Sequence, residues 1–354
     1  MLLTFFAFIV VLGVVIFVHE AGHFFAARAT GMRVEAFSLG FVKMFGIKRG
    51  DTEYRLGYVP LGGYVKISGM IDEFGDDDIS GKPWEFQSKN AFQKAFVITA
   101  GVLMNFLLGF IIYTAIAWVE GEPIIDPSPT IGSVTQGFPA QDAGIVAGDV
   151  IIRVDDTAID SWEDFRVIVH SKPSEEVNIA WVSGTDTLSA TMTTKTQAIM
   201  DDDGARDVGM VGVGPTFTRE PVGIGEGVVL GARMTGAVLG LSLKSIQMLF
   251  SGDASVKDLT GPAGIVYLSG ETARAGWATF LGFIALISLS IGLLNILPFP
   301  VLDGGHLVYI IIEGITGKTI SSKVKIVLQN VGMALLLGLV VVVTYHDILR
   351  FFVD

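Results

Sequence analysis

His19-Glu20-Ala21-Gly22-His23 sets two imidazoles and a carboxylate within five residues. Four positions apart on a helix, the histidines differ by only ~40° of rotation and face one direction. Two neutral imidazole nitrogens so placed suit one Zn²⁺, with Glu20 beside them to take a proton from a water polarised by that metal. The motif lies in an apolar run from Met1 to Ala27, where ionisable groups need a compensating partner. A metal is such a partner. Taken alone, the motif could also be a chance match at the end of a hydrophobic helix.

Two histidines leave a zinc site one protein ligand short. The chain has no cysteine, so thiolate ligands and disulfides are excluded and the rest must come from His or carboxylate. Asp303 is the best candidate, in Asn295-Ile296-Leu297-Pro298-Phe299-Pro300-Val301-Leu302-Asp303-Gly304-Gly305-His306. Two prolines stop a span that would otherwise continue, so the backbone should unwind at membrane depth, which is tolerated where it lines a buried, hydrated cavity. Gly304-Gly305 then permits close approach. Alone the segment could be a simple turn; paired with the first motif it completes a His₂Asp site with an open position.

The elements that must hold these residues are mostly membrane spans. The chain has 354 residues, 51% of them hydrophobic, and a mean hydropathy of +0.58, which favours a membrane class. The first run has no basic stretch before it and no small-residue cleavage site before His19, so it reads as a retained span rather than a signal peptide. Four spans are expected: 1–27, 91–119, one within 259–306, and 326–346. A weaker stretch within 196–258, interrupted by Arg233 and Lys244, reads as linker followed by an interfacial, amphipathic helix. Segment 28–94 carries ten Lys/Arg against nine Asp/Glu, whereas 119–276 carries ten against twenty-two. The positive-inside rule therefore puts 28–90 and the loop 307–325 in the cytoplasm and the long acidic segment outside. The net charge of −12 offers nothing to nucleic acid.

Within the acidic segment, residues 126–195 change character. Short β-branched runs at Val150–Val154, Val177–Val182 and Leu188–Met192 alternate with turn signals, and Ser161 is a candidate N-cap for a helix through Val169. The string Pro139-Ala140-x-x-Ala143-Gly144-x-x-x-Gly148-Asp149-x-Ile151-x-x-Val154 resembles the PDZ domains of bacterial proteases. That resemblance implies capture of an extended peptide or carboxyl terminus by strand addition along Ile131, Gly132, Ser133 and Val134. A mere spacer is the alternative.

The pairing of H-E-x-x-H on one span with N-x-x-P-x-P-x-L-D-G-G near the end of a later one resembles the site-2 protease family, the M50 intramembrane zinc metalloproteases. The resemblance covers nearly the whole chain and is nearest to the RseP-type regulators of bacterial envelope stress. Pro60-Leu61-Gly62-Gly63-Tyr64-Val65-Lys66 looks like that family's membrane-associated β-loop, and Gly101-Val102-Leu103-Met104-Asn105-Phe106 its second-span motif, with Val102 where many members have Pro. The family pattern implies one Zn²⁺ per chain on His19, His23 and Asp303, with Glu20 as general base. It implies a polytopic α-helical membrane protein carrying a membrane-associated β-hairpin and an inserted extracytoplasmic α+β PDZ domain, in a bacterial inner membrane, with the active site near the cytoplasmic side. Its substrates would be single-span proteins such as anti-sigma factors, and possibly remnant signal peptides.

Hydrolysis in a bilayer requires the substrate helix to unwind, and an edge strand supplies the backbone partners that an unwound peptide lacks. Tyr54–Ser68, with Gly62, Gly63, Tyr64 and Val65, is the candidate edge. Asn105 and Asn295 are span amides able to bond the opened substrate, or to serve as interhelical glue. His306 is expected to support the site or to lie at the surface rather than ligate. Two other classes compete: a non-catalytic membrane PDZ adaptor, against which Glu20 counts because a structural zinc site needs no base, and a metal transporter, which requires a polar path that the last span lacks.

Overall fold

The computed structural model describes residues 2–70, 80–201, 204–252, 255 and 259–353. The chain forms two compact units, one of residues 1–119 with 223–354 and one of residues 120–222.

The first unit opens with α1 (Leu2–Ala29), apolar on every side. β1 (Val34–Arg49) and β2 (Thr52–Ile67) follow, joined by a turn at Gly50, whose φ of 61° suits glycine. This long hairpin is folded on itself. Ala36–Leu39 pairs with Gly63–Lys66 in one register, and in a second with Glu53–Leu56, both numbers rising together. Lys43–Arg49 pairs with 52–57, so the 62–67 segment lies outermost in the described pairings, with 34–39 on its one paired side. A single outer edge was the expectation for Tyr54–Ser68, and it falls on the second half of that range. α2 (Ala91–Glu120) begins with a reciprocal cap: the Gln93 N–H donates to Asn90 Oδ1 at 2.9 Å and the Asn90 N–H to Gln93 Oε1 at 3.3 Å.

The second unit contains β3 (Glu122–Ile125), β4 (Ile131–Val134), a short α3 (Pro139–Asp142), β5 (Val150–Val154), β6 (Thr157–Ala158), α4 (Trp162–His170), β7 (Glu176–Ser183), β8 (Asp186–Thr193), β9 (Lys195–Asp201), β10 (Gly204–Met210), β11 (Val213–Pro215) and β12 (Phe217–Glu220). A four-stranded antiparallel sheet in the order β6-β5-β7-β8 packs with α4 around Ile131, Ile151, Trp162, Phe165, Ile179 and Trp181. Ser161 caps α4 as its sequence suggests, its Oγ accepting from the Asp164 N–H. The unit is larger than the expected 126–195. Residues read as linker after 195 form the β9–β10 hairpin and two strands that return to earlier ones, β11 on β4 and β12 on β3. Asp202 and Asp203 of the acidic run lie outside the described residues.

Returning to the first unit, α5 (Ile224–Ser251), α6 (Pro262–Ala275), α7 (Trp277–Asn295), α8 (Asp303–Thr316) and α9 (Ser322–Ile348) complete the chain. Among the described residues five helices, not four, are long and apolar enough to cross a bilayer, the fifth being α5. Arg233 and Lys244 do not interrupt it, because eleven residues return to within ~20° on a helix and both side chains share one exposed face. The opposite face, with Met234, Val238 and Leu239, packs with Val11 and Val15 of α1, Ile112 of α2 and Phe283 and Leu289 of α7. The segment expected as a cytoplasmic loop at 307–325 is mostly α8, joined to α9 by a Lys325–Glu313 ion pair at 2.7 Å.

Candidate active site: a buried His-His-Asp cluster

α1 presents His19 and His23 on one face, as their spacing requires, and both are buried. α2 reaches them only because two positions lack side chains. A Cβ on Gly101 would stand 2.4 Å from His23 Nε2 and 2.8 Å from His19 Cε1, and one on Gly22 would stand 2.5 Å from the Ala100 carbonyl oxygen. The third element comes from the far end of the chain. α7 stops at Asn295, the Pro298–Pro300 segment turns, and α8 restarts at Asp303. Gly304 and Gly305 let the new helix close onto that turn, since a Cβ on either would lie 2.2 Å from the carbonyl oxygen of Leu297 or Phe299. The unwinding therefore occupies 296–302, and Asp303 stands in the first turn of a helix.

Asp303 Oδ2 lies 3.2 Å from His19 Nε2 and 3.4 Å from His23 Nε2, and the two ring nitrogens are 3.2 Å apart. Tautomers decide what such a triangle means. His23 Nδ1 donates to the Val97 carbonyl oxygen at 2.9 Å, so its Nε2 carries a lone pair. The Asn105 amide nitrogen stands 3.3 Å from His19 Nδ1, while Asn105 Oδ1 is buried without a partner. Exchanging these two amide atoms, which have the same shape, lets Oδ1 accept from Nδ1–H and leaves His19 Nε2 with a lone pair too. Asp303 Oδ2 is likewise buried with no hydrogen-bond donor. Three lone pairs then converge with no proton between them, an arrangement that needs a cation. Tetrahedral ligands at Zn–N and Zn–O lengths of ~2.0–2.1 Å have their atoms ~3.3–3.4 Å apart, matching the observed triangle. The cluster therefore fits Zn²⁺.

Among the described residues this is the one group of three His, Asp or Glu side chains with ligand atoms mutually within 4.8 Å. His170 and His346 are not in it. His306 faces Gln329, its Nε2 3.4 Å from the Gln329 amide nitrogen, and does not ligate.

Glu20 is half-buried on α1, and the outermost β segment runs beside it: a Cβ on Gly63 would stand 3.0 Å from Glu20 Cγ and 2.9 Å from an Ile16 methyl. A Cβ on Gly62 would meet the Phe41 ring at 2.3 Å. Tyr64 Oη accepts from Arg55 at 2.9 Å, and Val65 packs on the cluster of Ala26, Val34 and Ile98. Asn295 places its amide nitrogen 3.4 Å from His19 Nε2, within reach of anything bound at the cluster. Asn105 is elsewhere: it is fully buried, and its own carbonyl accepts from Ser288 Oγ at 2.9 Å. That position suits orienting His19, not bonding a peptide. Ile131, Gly132, Ser133 and Val134 form β4, with one edge taken by β11 and Ile131 bonded to Gly148 and Asp149 on the other. Little of either edge is free for an added strand. Sequence reasoning missed Gly22, whose close contact is legible only once α1 and α2 are seen to cross there.

A helix-borne H-E-x-x-H completed by an aspartate between apolar helices defines a metallopeptidase built within a membrane domain. The profile of peptidase family M50 matches residues 7–339, and the chain belongs to that family. A protein of Clostridium acetobutylicum that carries a provisional zinc metalloprotease name is 32% identical over 342 residues, 96% of each chain. The regulator of sigma E protease of Haemophilus influenzae is 29% identical over 442 aligned positions, covering 97% of this chain and 98% of that one. Among solved structures, the PDZ domain of an SdrC-like protein from Listeria monocytogenes is 28% identical and overlaps 26% of this chain and 90% of that domain, with a TM-score of 0.21. The protein is a zinc metalloprotease of the membrane.

Proposed function

We propose that this protease cuts the transmembrane segments of single-span proteins, using one Zn²⁺ per chain held by His19, His23 and Asp303. The observation that carries the reading is the convergence of three buried lone pairs beside a carboxylate that is not itself a ligand. The metal, when bound, supplies Lewis acidity for the scissile carbonyl and lowers the pKa of the attacking water. Glu20 accepts a proton from that water and returns it to the leaving amide nitrogen, so one C–N bond breaks as one C–O bond forms and a carboxylic acid and an amine result. His23 is oriented through Val97 and His19 through Asn105. Asn295 donates to the carbonyl oxygen as charge develops there.

The outermost β segment, Gly62 to Val65, receives the unwound substrate as an added strand, with Gly63 keeping that edge close to Glu20. A peptide that reaches a site enclosed by apolar helices is itself apolar; the likeness to a regulator of sigma E protease points, among such segments, to anti-sigma factors and remnant signal peptides. The likeness to bacterial relatives favours a bacterial inner membrane, and the positive-inside count favours the cytoplasmic side for the loops nearest the site. The inserted unit, with its PDZ-like Pro139–Val154 string, sits outside and selects or excludes substrates. Cleavage of a tagged single-span substrate by the purified protein, lost on adding a chelator and restored by zinc, tests the proposal. Chelator-resistant cleavage, or none by zinc-loaded protein on any single-span substrate tried, refutes it.

A further inference from the structure

Where α1 ends and β1 begins, a cavity of about 520 Å³ opens among Arg28, Arg33, Arg49, Asp51, Thr52 and Trp84. Its size falls in the range of small-ligand pockets, ~300–1,000 Å³. Among the described residues its charge is unbalanced. Arg33 pairs with Asp51 at 3.1 Å, whereas Arg28 and Arg49 form no ion pair among the described residues. Arg28 lies instead over the Phe24 ring, 5.7 Å from its centroid, an arrangement that leaves guanidinium N–H groups unused. Arg33 Nε is buried with no hydrogen-bond partner, so Asp51 satisfies that guanidinium only in part. The walls are fixed: the Arg33 N–H donates to the Trp84 carbonyl at 3.0 Å, and the Ser68 N–H to the Arg33 carbonyl at 2.9 Å.

The geometry points to a binding site for a phosphate group at this cavity, held by the guanidinium groups of Arg28, Arg33 and Arg49. Guanidinium forks match the paired oxygens of a phosphate, and three of them against one carboxylate leave room for one or two negative charges. The place of the cavity at the end of α1 suits a lipid headgroup. Arg28 is in the last turn of an apolar 28-residue helix, where a bilayer gives way to water, and Trp84, 40% exposed, is of the residue type that settles at that boundary. Free phosphate offers the same oxygens without the acyl chains. Occupation would fix the depth of α1, whose His23 is five residues before Arg28.

The test uses the full chain in a neutral detergent, titrated with short-chain phosphatidylglycerol, with diacylglycerol of the same chain length, or with inorganic phosphate, and read by native mass spectrometry. The expected result is saturable binding of one phosphatidylglycerol and none of diacylglycerol. Affinity should fall at least tenfold in Arg28→Gln/Arg49→Gln and little in Lys318→Gln/Lys323→Gln, which removes the same charge elsewhere. Binding of inorganic phosphate with the same arginine dependence supports the site too: competition with the lipid identifies one shared pocket, and phosphate binding without lipid binding assigns the source as soluble. Equal loss in both double variants would reduce the effect to diffuse surface charge and overturn the proposal. So would failure of both phosphatidylglycerol and phosphate to bind saturably.

Discussion

A single methyl group at Gly101 should disable the enzyme. In Gly101→Ala the new Cβ would stand 2.4 Å from His23 Nε2 and 2.7 Å from His23 Cε1, where ordinary contact is ~3.5 Å. Relief needs about 1 Å of movement by the imidazole or by α2. Overpacking of this kind costs about 1–3 kcal/mol in stability, but the larger effect falls on the metal. Ligand atoms must hold their distances to within ~0.2 Å, and a 1 Å misplacement of a reacting group costs ~10²-fold in rate. Zinc content and cleavage of a tagged substrate should therefore fall together, by about two orders of magnitude for cleavage. Gly13→Ala on α1 is the control, because a Cβ there meets nothing within 4 Å and alanine is the better helix former. A Gly101→Ala protein with full zinc and near-normal cleavage would refute the idea that α2 is held directly against the ligand histidines.

Replacing Asn105 with leucine, which keeps the branched outline but is bulkier and unable to accept from His19 Nδ1–H, should lower zinc affinity about 10–100-fold, and Asn105→Asp should restore much of it; equal losses in both variants would argue for packing alone. Cysteines at 62–65 should crosslink to a substrate trapped on an inactive variant, and proline at Tyr64 should slow cleavage without releasing zinc; crosslinks found only near His23 would reduce the β segment to an anchor. In the inserted unit, the Asn178 N–H and then Lys172 hold the Asp155 carboxyl below its usual range. Its stabilising contribution is thus complete above pH ~4 and lost as pH falls through the lowered folded-state value, so Asp155→Asn should flatten the acid limb of that unit's unfolding curve. An unchanged acid limb would contradict this.

The chemistry is more legible in the sequence than the scaffold. His19 and His23 declare their shared face through helical periodicity alone, and Pro298, Pro300 and Gly304-Gly305 mark a break that delivers a carboxylate. Local signals also carry the cap at Ser161. What the sequence hides is long-range. Ala36–Leu39 pairs with two separate stretches of β2, which no alternation pattern encodes. β11 and β12 look like linker because each is three or four residues long and gains its partner about 80–100 positions earlier. That α5 proves long and apolar enough to cross a bilayer has a simpler cause: charges counted along the chain look like interruptions, but counted around the helix they form one stripe. Asn105 reads as a substrate contact because its type allows it, and only the distance to His19 redirects it.

The most direct measurement is zinc stoichiometry and substrate cleavage on the same preparation of Glu20→Gln. That change removes a proton acceptor while leaving His19, His23 and Asp303 untouched. The account predicts about one zinc per chain, as in the unmodified protein, with cleavage reduced by several orders of magnitude. Cleavage near the unmodified rate at full zinc occupancy would contradict it.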